Sequence, residues 1–146
     1  MNEILLESLY QGNRDDAIKA SQNKSVTSIL YLGQEIPEEL THKSLIPVIH
    51  IPIRNDFEED PLRFEYIFQY LDYALKYGSI VLVACRYGES RSPLVCLYYL
   101  MLHEHYSYKR AYTLIKSKVS NFKSDRKLNP LLRNYVRGHQ LGLPTL

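Results

Sequence analysis

Residues 80–93, IVLVACRYGESRSP, join an apolar run to a polar loop and to the start of a helical segment. The run at 80–84 is continuous and rich in β-branched residues, which is typical of a strand buried on both faces of a parallel sheet. The following loop carries Cys85 and Arg91 with five residues between them, and the spacing of apolar residues from Ser92 onward predicts a helix. The segment therefore predicts a strand, loop and helix in direct succession.

Strand and helix patterns alternate outward from this segment. Upstream, the sequence predicts strands at 4–10, 26–32 and 45–53, a short helix at 13–22 and a longer helix from Pro61 to just before Gly78. Downstream, it predicts helices around 92–104, 107–119 and 128–139. This alternation predicts an α/β domain with a mainly parallel central sheet of about four to five strands flanked by helices. Ligands of such sheets bind at the carboxyl ends of the strands, so we expect the ligand site at the loop after Ala84.

Length and composition limit the class of protein. The 146 residues predict one catalytic domain over 1–146, and 45% hydrophobic residues are too many for a disordered chain. No apolar stretch reaches the roughly 18 residues of a membrane span, and the N-terminus lacks a secretory pattern, so we expect a cytoplasmic protein. Two cysteines exclude a disulfide scaffold and a structural zinc site, so we expect no metal and no cofactor. Cys96, in an apolar run, is expected to be a packed core thiol.

Charge is distributed unevenly along the chain. Residues 1–106 contain 9 Lys and Arg against 15 Asp and Glu, whereas residues 107–146 contain 9 basic residues and one acid, Asp125. A basic C-terminal third would suit an anionic partner such as a nucleic acid or a phosphoinositide. Solvated helix faces explain the same pattern equally well.

The loop after Cys85 has the composition of a phosphate cradle. None of residues 86–92 is proline, so every backbone N–H can point inward, and the following helix adds its positive N-terminal dipole. Gly88 permits a turn that a Cβ would disfavour, and the planar guanidinium of Arg91 can bind two phosphate oxygens. The same N–H groups would stabilise a Cys85 thiolate. The predicted phosphate-binding residues are Arg86, Tyr87, Gly88, Glu89, Ser90 and Arg91.

The segment VLVACRYGESRSPLVCLYYLM, residues 81–101, resembles the signature of the cysteine-dependent dual-specificity phosphatases of the protein-tyrosine phosphatase superfamily. Weaker similarity extends to the early segment LYQG at 9–12, to IPI at 51–53 followed by Asp56, and to the helix after the cradle. The resemblance implies a metal-independent phosphatase that acts on phosphotyrosine and phosphoserine or phosphothreonine in phosphorylated proteins or peptides. It implies that Cys85 is the nucleophile, Arg91 the phosphate clamp, Asp56 the general acid and Ser92 the hydroxyl that assists the departing thiolate.

Some positions leave alternatives open or depart from the family pattern. Glu58 and Glu59 are rivals of Asp56 as the general acid, although Asp56 is favoured, and Asp60 is better suited to capping the helix at Pro61. Ala84 stands where the family usually has histidine, so one support for the thiolate is absent. Glu89 places a carboxylate beside the phosphate site and should repel the substrate unless it is paired or turned away.

Three other functions are compatible with parts of the sequence. A rhodanese-like sulfurtransferase also uses a cysteine in an N–H-lined loop, but its usual loop is one residue shorter. A phosphoinositide or RNA 5′-triphosphate phosphatase would use the same scaffold, and a non-catalytic module would bind phosphate without turnover. The intact set of Cys85, Arg91 and Asp56 favours catalysis. The sequence predicts no oligomeric state.

Overall fold

A five-stranded sheet forms the centre of the molecule in a computed structural model that describes residues 1–54 and 61–140. The strands are β1 (Asn2–Leu5), β2 (Leu9–Gly12), β3 (Ser28–Tyr31), β4 (Val48–His50) and β5 (Val81–Ala84). They are arranged in the order β1-β2-β5-β3-β4. The β1–β2 pair is antiparallel and the other three pairs are parallel. The predicted α/β class with a mainly parallel sheet is therefore confirmed.

Helices cover both faces of the sheet. They are α1 (Arg14–Asn23), α2 (Glu38–Thr41), α3 (Pro61–Lys76), α4 (Arg91–His103), α5 (Tyr108–Lys118) and α6 (Leu128–Gln140). Buried residues of α1 and α2 pack in one hydrophobic cluster with one face of the sheet, and buried residues of α3 to α6 pack in a second cluster with the other face. Among the described residues, no helix has both the length and the apolar character needed to cross a bilayer.

Strand β5 is the central strand and is buried on both faces, as its composition predicts. Val81 and Val83 belong to the cluster with α3 to α6, whereas Leu82 and Ala84 belong to the cluster with α1 and α2. All four side chains have zero exposure. Side chains on a strand alternate between faces, so a strand with helices on both sides needs apolar residues at every position.

The N-terminal segment differs from its prediction. The sequence predicts one strand at 4–10, but the chain forms two strands, β1 and β2, that pair as a hairpin. Glu7 adopts a left-handed conformation with φ of 55°, and the Ser8 N–H donates to the Leu5 carbonyl over 3.1 Å. The prediction was wrong because the turn at Leu6, Glu7 and Ser8 contains none of the Gly, Pro, Asn or Asp residues that usually mark a turn. The hairpin adds β1 as an antiparallel edge strand next to β2.

Replacing Leu82 with alanine tests how much a buried side chain of the central strand contributes to the stability of the fold. Because Leu82 is fully buried under α1 and α2, we expect Leu82→Ala to lower the free energy of unfolding by about 2–5 kcal/mol. Leu6, which is 79% exposed in the hairpin turn, provides a control, and Leu6→Ala should change that free energy by no more than about 0.5 kcal/mol. Urea unfolding of both variants measures the difference, and equal effects would contradict the assigned core.

Candidate active site

The candidate site lies where the carboxyl ends of β2, β5 and β3 meet. Residues 85–90 connect β5 to α4 across this edge of the sheet. The Cys85 N–H donates to the Gly12 carbonyl over 3.4 Å, and the Arg14 N–H donates to the Arg86 carbonyl over 3.2 Å. The chain just after β2 therefore holds the start of the loop, and topology places the loop at the edge where parallel sheets bind ligands.

Gly88 is the residue in this loop that no other residue type can replace without strain. Its φ is +66°, a left-handed conformation that side chains disfavour. A Cβ at this position would lie 3.2 Å from both the Cβ and the backbone nitrogen of Asn13. The turn predicted at Gly88 is thus present, and the close approach of the α1 N-cap is a second reason for glycine at this position.

Cys85 lies on the floor of the loop, with 3% of its surface exposed. The Ser92 N–H, in the first turn of α4, donates to the Cys85 Sγ over 3.4 Å. The Ser92 hydroxyl oxygen lies 3.2 Å from the same sulfur. A thiolate at this position would accept both hydrogen bonds and would lie near the positive end of the helix. The structure therefore brings together two of the predicted catalytic residues, Cys85 and Ser92.

Gln11 is a site residue that the sequence analysis missed. Its side chain is 1% exposed, and its amide nitrogen donates to the Ser92 hydroxyl over 2.8 Å and to the Gly88 carbonyl over 3.0 Å. Its amide oxygen accepts from the Asn2 side chain over 2.9 Å. Because the Ser92 oxygen accepts this bond, its own hydrogen is available to the sulfur or to the Gly12 carbonyl, which lies 3.2 Å away. The available signal was the fragment LYQG at 9–12, which resembles the opening strand of the family and contains Gln11.

A second segment, residues 121–123, holds the outer side of the loop. The Lys123 N–H donates to the Glu89 carbonyl over 2.8 Å, and the Ser90 hydroxyl donates to the Lys123 carbonyl. The Asn121 side chain donates to the Tyr87 carbonyl over 3.4 Å. The Glu89 carboxylate lies 3.6 Å from the Lys123 ammonium. The Glu89 carboxylate, which was expected to repel a phosphate unless it is paired, therefore has a cationic partner.

A cavity of about 240 Å³ opens above Cys85. It is lined by Cys85, Arg86, Tyr87, Glu89, Ser90, Arg91, Asp125 and Leu128. The sequence analysis did not assign the last two to the site, because only the fold brings the start of α6 to the loop. The Nε atom of Arg91 is buried and has no hydrogen-bond partner within the described residues. A buried guanidinium nitrogen without a partner is costly, so the arrangement favours an anionic ligand beside Arg91.

The remaining predicted residues have different outcomes. Asp56, its rivals Glu58 and Glu59, and Asp60 lie outside the described residues. Cys96 is a fully buried, free thiol, and burial raises its pKa, which agrees with a packed core residue. Within 1–54 and 61–140, no three His, Cys, Asp or Glu side chains cluster so that they could hold a metal ion.

Comparison with known proteins identifies the family. Residues 9–137 match the model of the dual specificity phosphatase catalytic domain. The chain belongs to this family. Human dual specificity protein phosphatase 9 is 31% identical over 140 residues, which cover 94% of this chain and 36% of that protein. The chain spans 25–36% of the length of the first three curated relatives that it matches.

Solved structures share the fold of this dual specificity phosphatase domain. Human DUSP28 superposes with a TM-score of 0.78 at 21% identity, covering 97% of this chain and 99% of that chain. The human tyrosine phosphatase-like serine/threonine/tyrosine-interacting protein superposes with a TM-score of 0.80 at 22% identity, covering 96% and 97%. The family and the fold predicted from residues 81–101 are thus confirmed, and the rhodanese-like alternative is not favoured.

Replacing Gln11 with methionine tests its hydrogen bonds at nearly constant volume. The Gly88 carbonyl and the Ser92 hydroxyl would lose their buried donor, so we expect Gln11→Met to lower the free energy of unfolding by about 1–3 kcal/mol. Gln69, exposed on α3, provides the control, and Gln69→Met should be nearly neutral. Urea unfolding measures both variants. If Gln11→Met leaves the free energy of unfolding unchanged, the Gln11 side chain does not stabilise the loop as assigned.

Proposed function

We propose that the chain hydrolyses phosphomonoesters on protein side chains through a cysteinyl-phosphate intermediate. The observation that carries this proposal is Cys85, a buried thiol at the floor of a cavity that also contains Arg91, with the Ser92 hydroxyl 3.2 Å from the sulfur. The nucleophile and the cation thus line one small cavity, and the buried hydroxyl contacts the nucleophile. The family membership supports the same chemistry.

The phosphoryl group would be held by the loop from Arg86 to Arg91. Its backbone N–H groups and the N-terminus of α4 favour a dianion, and the Arg91 guanidinium would bind two of its oxygens. The partnerless Nε of Arg91 would then gain an acceptor. We assign phosphate binding to Arg86, Tyr87, Gly88, Glu89, Ser90 and Arg91, with Glu89 contributing its backbone because its carboxylate pairs with Lys123.

In the first step, the Cys85 thiolate would attack phosphorus, so that a sulfur–phosphorus bond forms as the ester oxygen–phosphorus bond breaks. The departing oxygen needs a proton, and we assign its transfer to Asp56 on the basis of the family resemblance. Charge that develops on the phosphoryl oxygens would be stabilised by Arg91 and by the loop N–H groups. This step divides one difficult displacement into two easier ones.

In the second step, a water molecule would attack phosphorus while the Asp56 carboxylate accepts its proton. The sulfur–phosphorus bond then breaks, inorganic phosphate forms and the thiolate is restored. The Ser92 hydroxyl, which accepts a hydrogen bond from Gln11, would direct its hydrogen to the departing sulfur. This assigns Ser92 to the release of the thiolate, with Gln11 as its positioning residue.

We propose phosphorylated proteins or peptides as the substrates, with phosphotyrosine and phosphoserine or phosphothreonine both accepted. Tyr87, which is 63% exposed beside the cavity, would contact the chain that carries the phosphate. We further propose that residues 1–146 act as a single catalytic domain and that the location is cytoplasmic. A reducing compartment would keep Cys85 and Cys96 as the free thiols that the mechanism and the core require.

Replacing the nucleophile tests the mechanism. We expect Cys85→Ser to abolish phosphate release from p-nitrophenyl phosphate without changing the fold, because a serine hydroxyl at this position is a far weaker nucleophile. Cys96→Ala should keep the activity, since Cys96 packs in the core. Steady-state kinetics of both variants, with circular dichroism as the folding control, measure this. Wild-type turnover rates in Cys85→Ser would refute the proposed mechanism.

Replacing the general acid tests the role taken from the family resemblance. We expect Asp56→Asn to lower kcat by about 10²- to 10⁴-fold on a phosphotyrosine peptide, the usual range for a positioned general acid. The loss should be smaller on p-nitrophenyl phosphate, whose leaving group scarcely needs a proton. Glu58→Gln and Glu59→Gln are the matched controls. If one of them produces the large loss while Asp56→Asn does not, the assignment moves to that residue.

A further inference from the structure

Asp125 and Leu128, at the start of α6, line one side of the cavity above Cys85. Leu128 is fully buried and belongs to the hydrophobic core, so its role is packing. Asp125 is partly exposed and brings a carboxylate to a cavity that would receive a phosphoryl dianion. Like charges repel, so this carboxylate opposes phosphate binding unless a cation accompanies the phosphate.

One oxygen of the Asp125 carboxylate caps α6. Its Oδ1 accepts hydrogen bonds from the backbone N–H groups of Lys127 and Leu128, both over 2.8 Å. Asparagine is equally common as a helix cap, because its side-chain oxygen accepts the same bonds. Capping therefore explains an acceptor oxygen at position 125, but it does not require a full negative charge.

The two carboxylates that line the cavity differ in their partners. The Glu89 carboxylate lies 3.6 Å from the Lys123 ammonium. The Asp125 carboxylate forms no ion pair with any Lys, Arg or His within residues 1–54 and 61–140, and its Oδ2 accepts no hydrogen bond from them. Asp125 therefore has an oxygen and a charge available to a ligand.

Hydrogen bonds to Asn129 hold the segment that contains Asp125. The Asn129 N–H donates to the Asp125 carbonyl over 3.0 Å, and the Asn129 side-chain amide donates to the Ser124 hydroxyl over 3.0 Å. The hydroxyl of Tyr98, a fully buried residue, donates to the Asn129 side-chain oxygen. A carboxylate on a segment fixed in this way loses little conformational freedom when it binds a ligand.

The cavity would carry an excess of negative charge once a phosphoryl group is bound. Arg86 and Arg91 are the arginines of the lining, and Lys123 offsets Glu89. A phosphoryl dianion would balance the two guanidinium charges. The Asp125 carboxylate and the Cys85 thiolate would then lack a counter-charge, which a cation carried by the substrate would supply.

We propose that Asp125 determines substrate specificity by binding the cationic side chain of a lysine or arginine that flanks the phosphorylated residue of a peptide. The inference rests on the proposed function, because the phosphate must lie above Cys85 for the flanking residue to reach Asp125. The cation would bind Oδ2, while Oδ1 continues to cap α6. The enzyme would thus select phosphorylated sequences with a basic neighbour over neutral ones.

The experiment compares phosphotyrosine peptides within each enzyme variant. The reference peptide has alanine at the two positions on each side, and the test peptides place arginine, or its neutral isostere citrulline, at each of these positions in turn. In the wild type, we expect arginine to raise kcat/KM about fivefold at one position or more, within the range of partly exposed charged contacts. Citrulline should raise it by less than about twofold. The gain with arginine should shrink in about 0.5 M salt, because salt screens the attraction.

Asp125→Asn separates the charge from the cap. We expect it to reduce the ratio of arginine to reference kcat/KM to below about twofold, and any general change in activity cancels in that ratio. The Tm of Asp125→Asn should stay near that of the wild type because asparagine retains the cap, whereas Asp125→Ala should lower it. Glu7→Gln, which removes an exposed carboxylate in the hairpin turn, is the matched control and should keep the ratio.

Three results would overturn the inference. One is a wild-type ratio below about twofold at every position, and another is a gain that survives in Asp125→Asn. The third is a gain that is lost in Glu89→Gln but kept in Asp125→Asn, because the cation would then bind the other carboxylate of the cavity. Failure of the proposed function is distinct, since the wild type would then not hydrolyse p-nitrophenyl phosphate at all.

Discussion

The hydrogen bonds that hold the loop from Cys85 to Ser90 are the constraint on which the rest of the structure depends. The backbone carbonyls of this loop need hydrogen-bond donors. Those donors come from separate parts of the chain: Arg14 for the Arg86 carbonyl, Gln11 for Gly88, Asn121 for Tyr87 and Lys123 for Glu89. The loop is therefore held by the packed fold and could not persist as an isolated peptide.

The sheet order follows from the same requirement. The loop begins at the end of β5. The parallel neighbours β2 and β3 end at the same edge of the sheet, so their carboxyl ends lie on either side of the loop. From β2 come Gln11 and Gly12, and from β3 comes Tyr31. Helix α4 then directs its N-terminus at Cys85, with Ser92 in its first turn. The central position of β5 explains why all four of its side chains are apolar, whereas polar groups begin at the residue where the strand ends.

Part of the basic charge of the C-terminal third has a structural explanation in the described residues. Three of its cations, Arg110, Lys116 and Arg133, lie over rings of Tyr106, Tyr112 and Tyr108 at 3.8, 5.8 and 5.3 Å. Lys123 pairs with Glu89 at the loop. Cation–π contacts of this kind stabilise packed helices without any external partner. Four of the nine basic residues therefore contribute to the packing of α5 and α6 or to holding the loop.

Sequence alone determined the features that depend on local pattern. The signals for the central strand, for the helix that follows it and for the family all lie within about twenty residues, in the apolar run at 80–84 and the segment after it. The turn at Gly88 was also predictable from the sequence, because it depends on one residue within the loop. Local pattern failed at the hairpin of β1 and β2, where the turn lacks Gly, Pro, Asn and Asp, and it did not predict the short helix α2.

Tertiary structure decided which distant residues meet at the loop. Gln11 lies 81 positions before Ser92, and Lys123 lies beyond two helices from the loop, yet both hold the site. The pairing of Glu89 with Lys123, and the placing of Tyr31 beside Ala84 and Gly33, likewise arise from contacts between separate elements. No periodicity encodes such contacts, because they depend on strand order and helix packing, and these become definite only when the whole core is assembled.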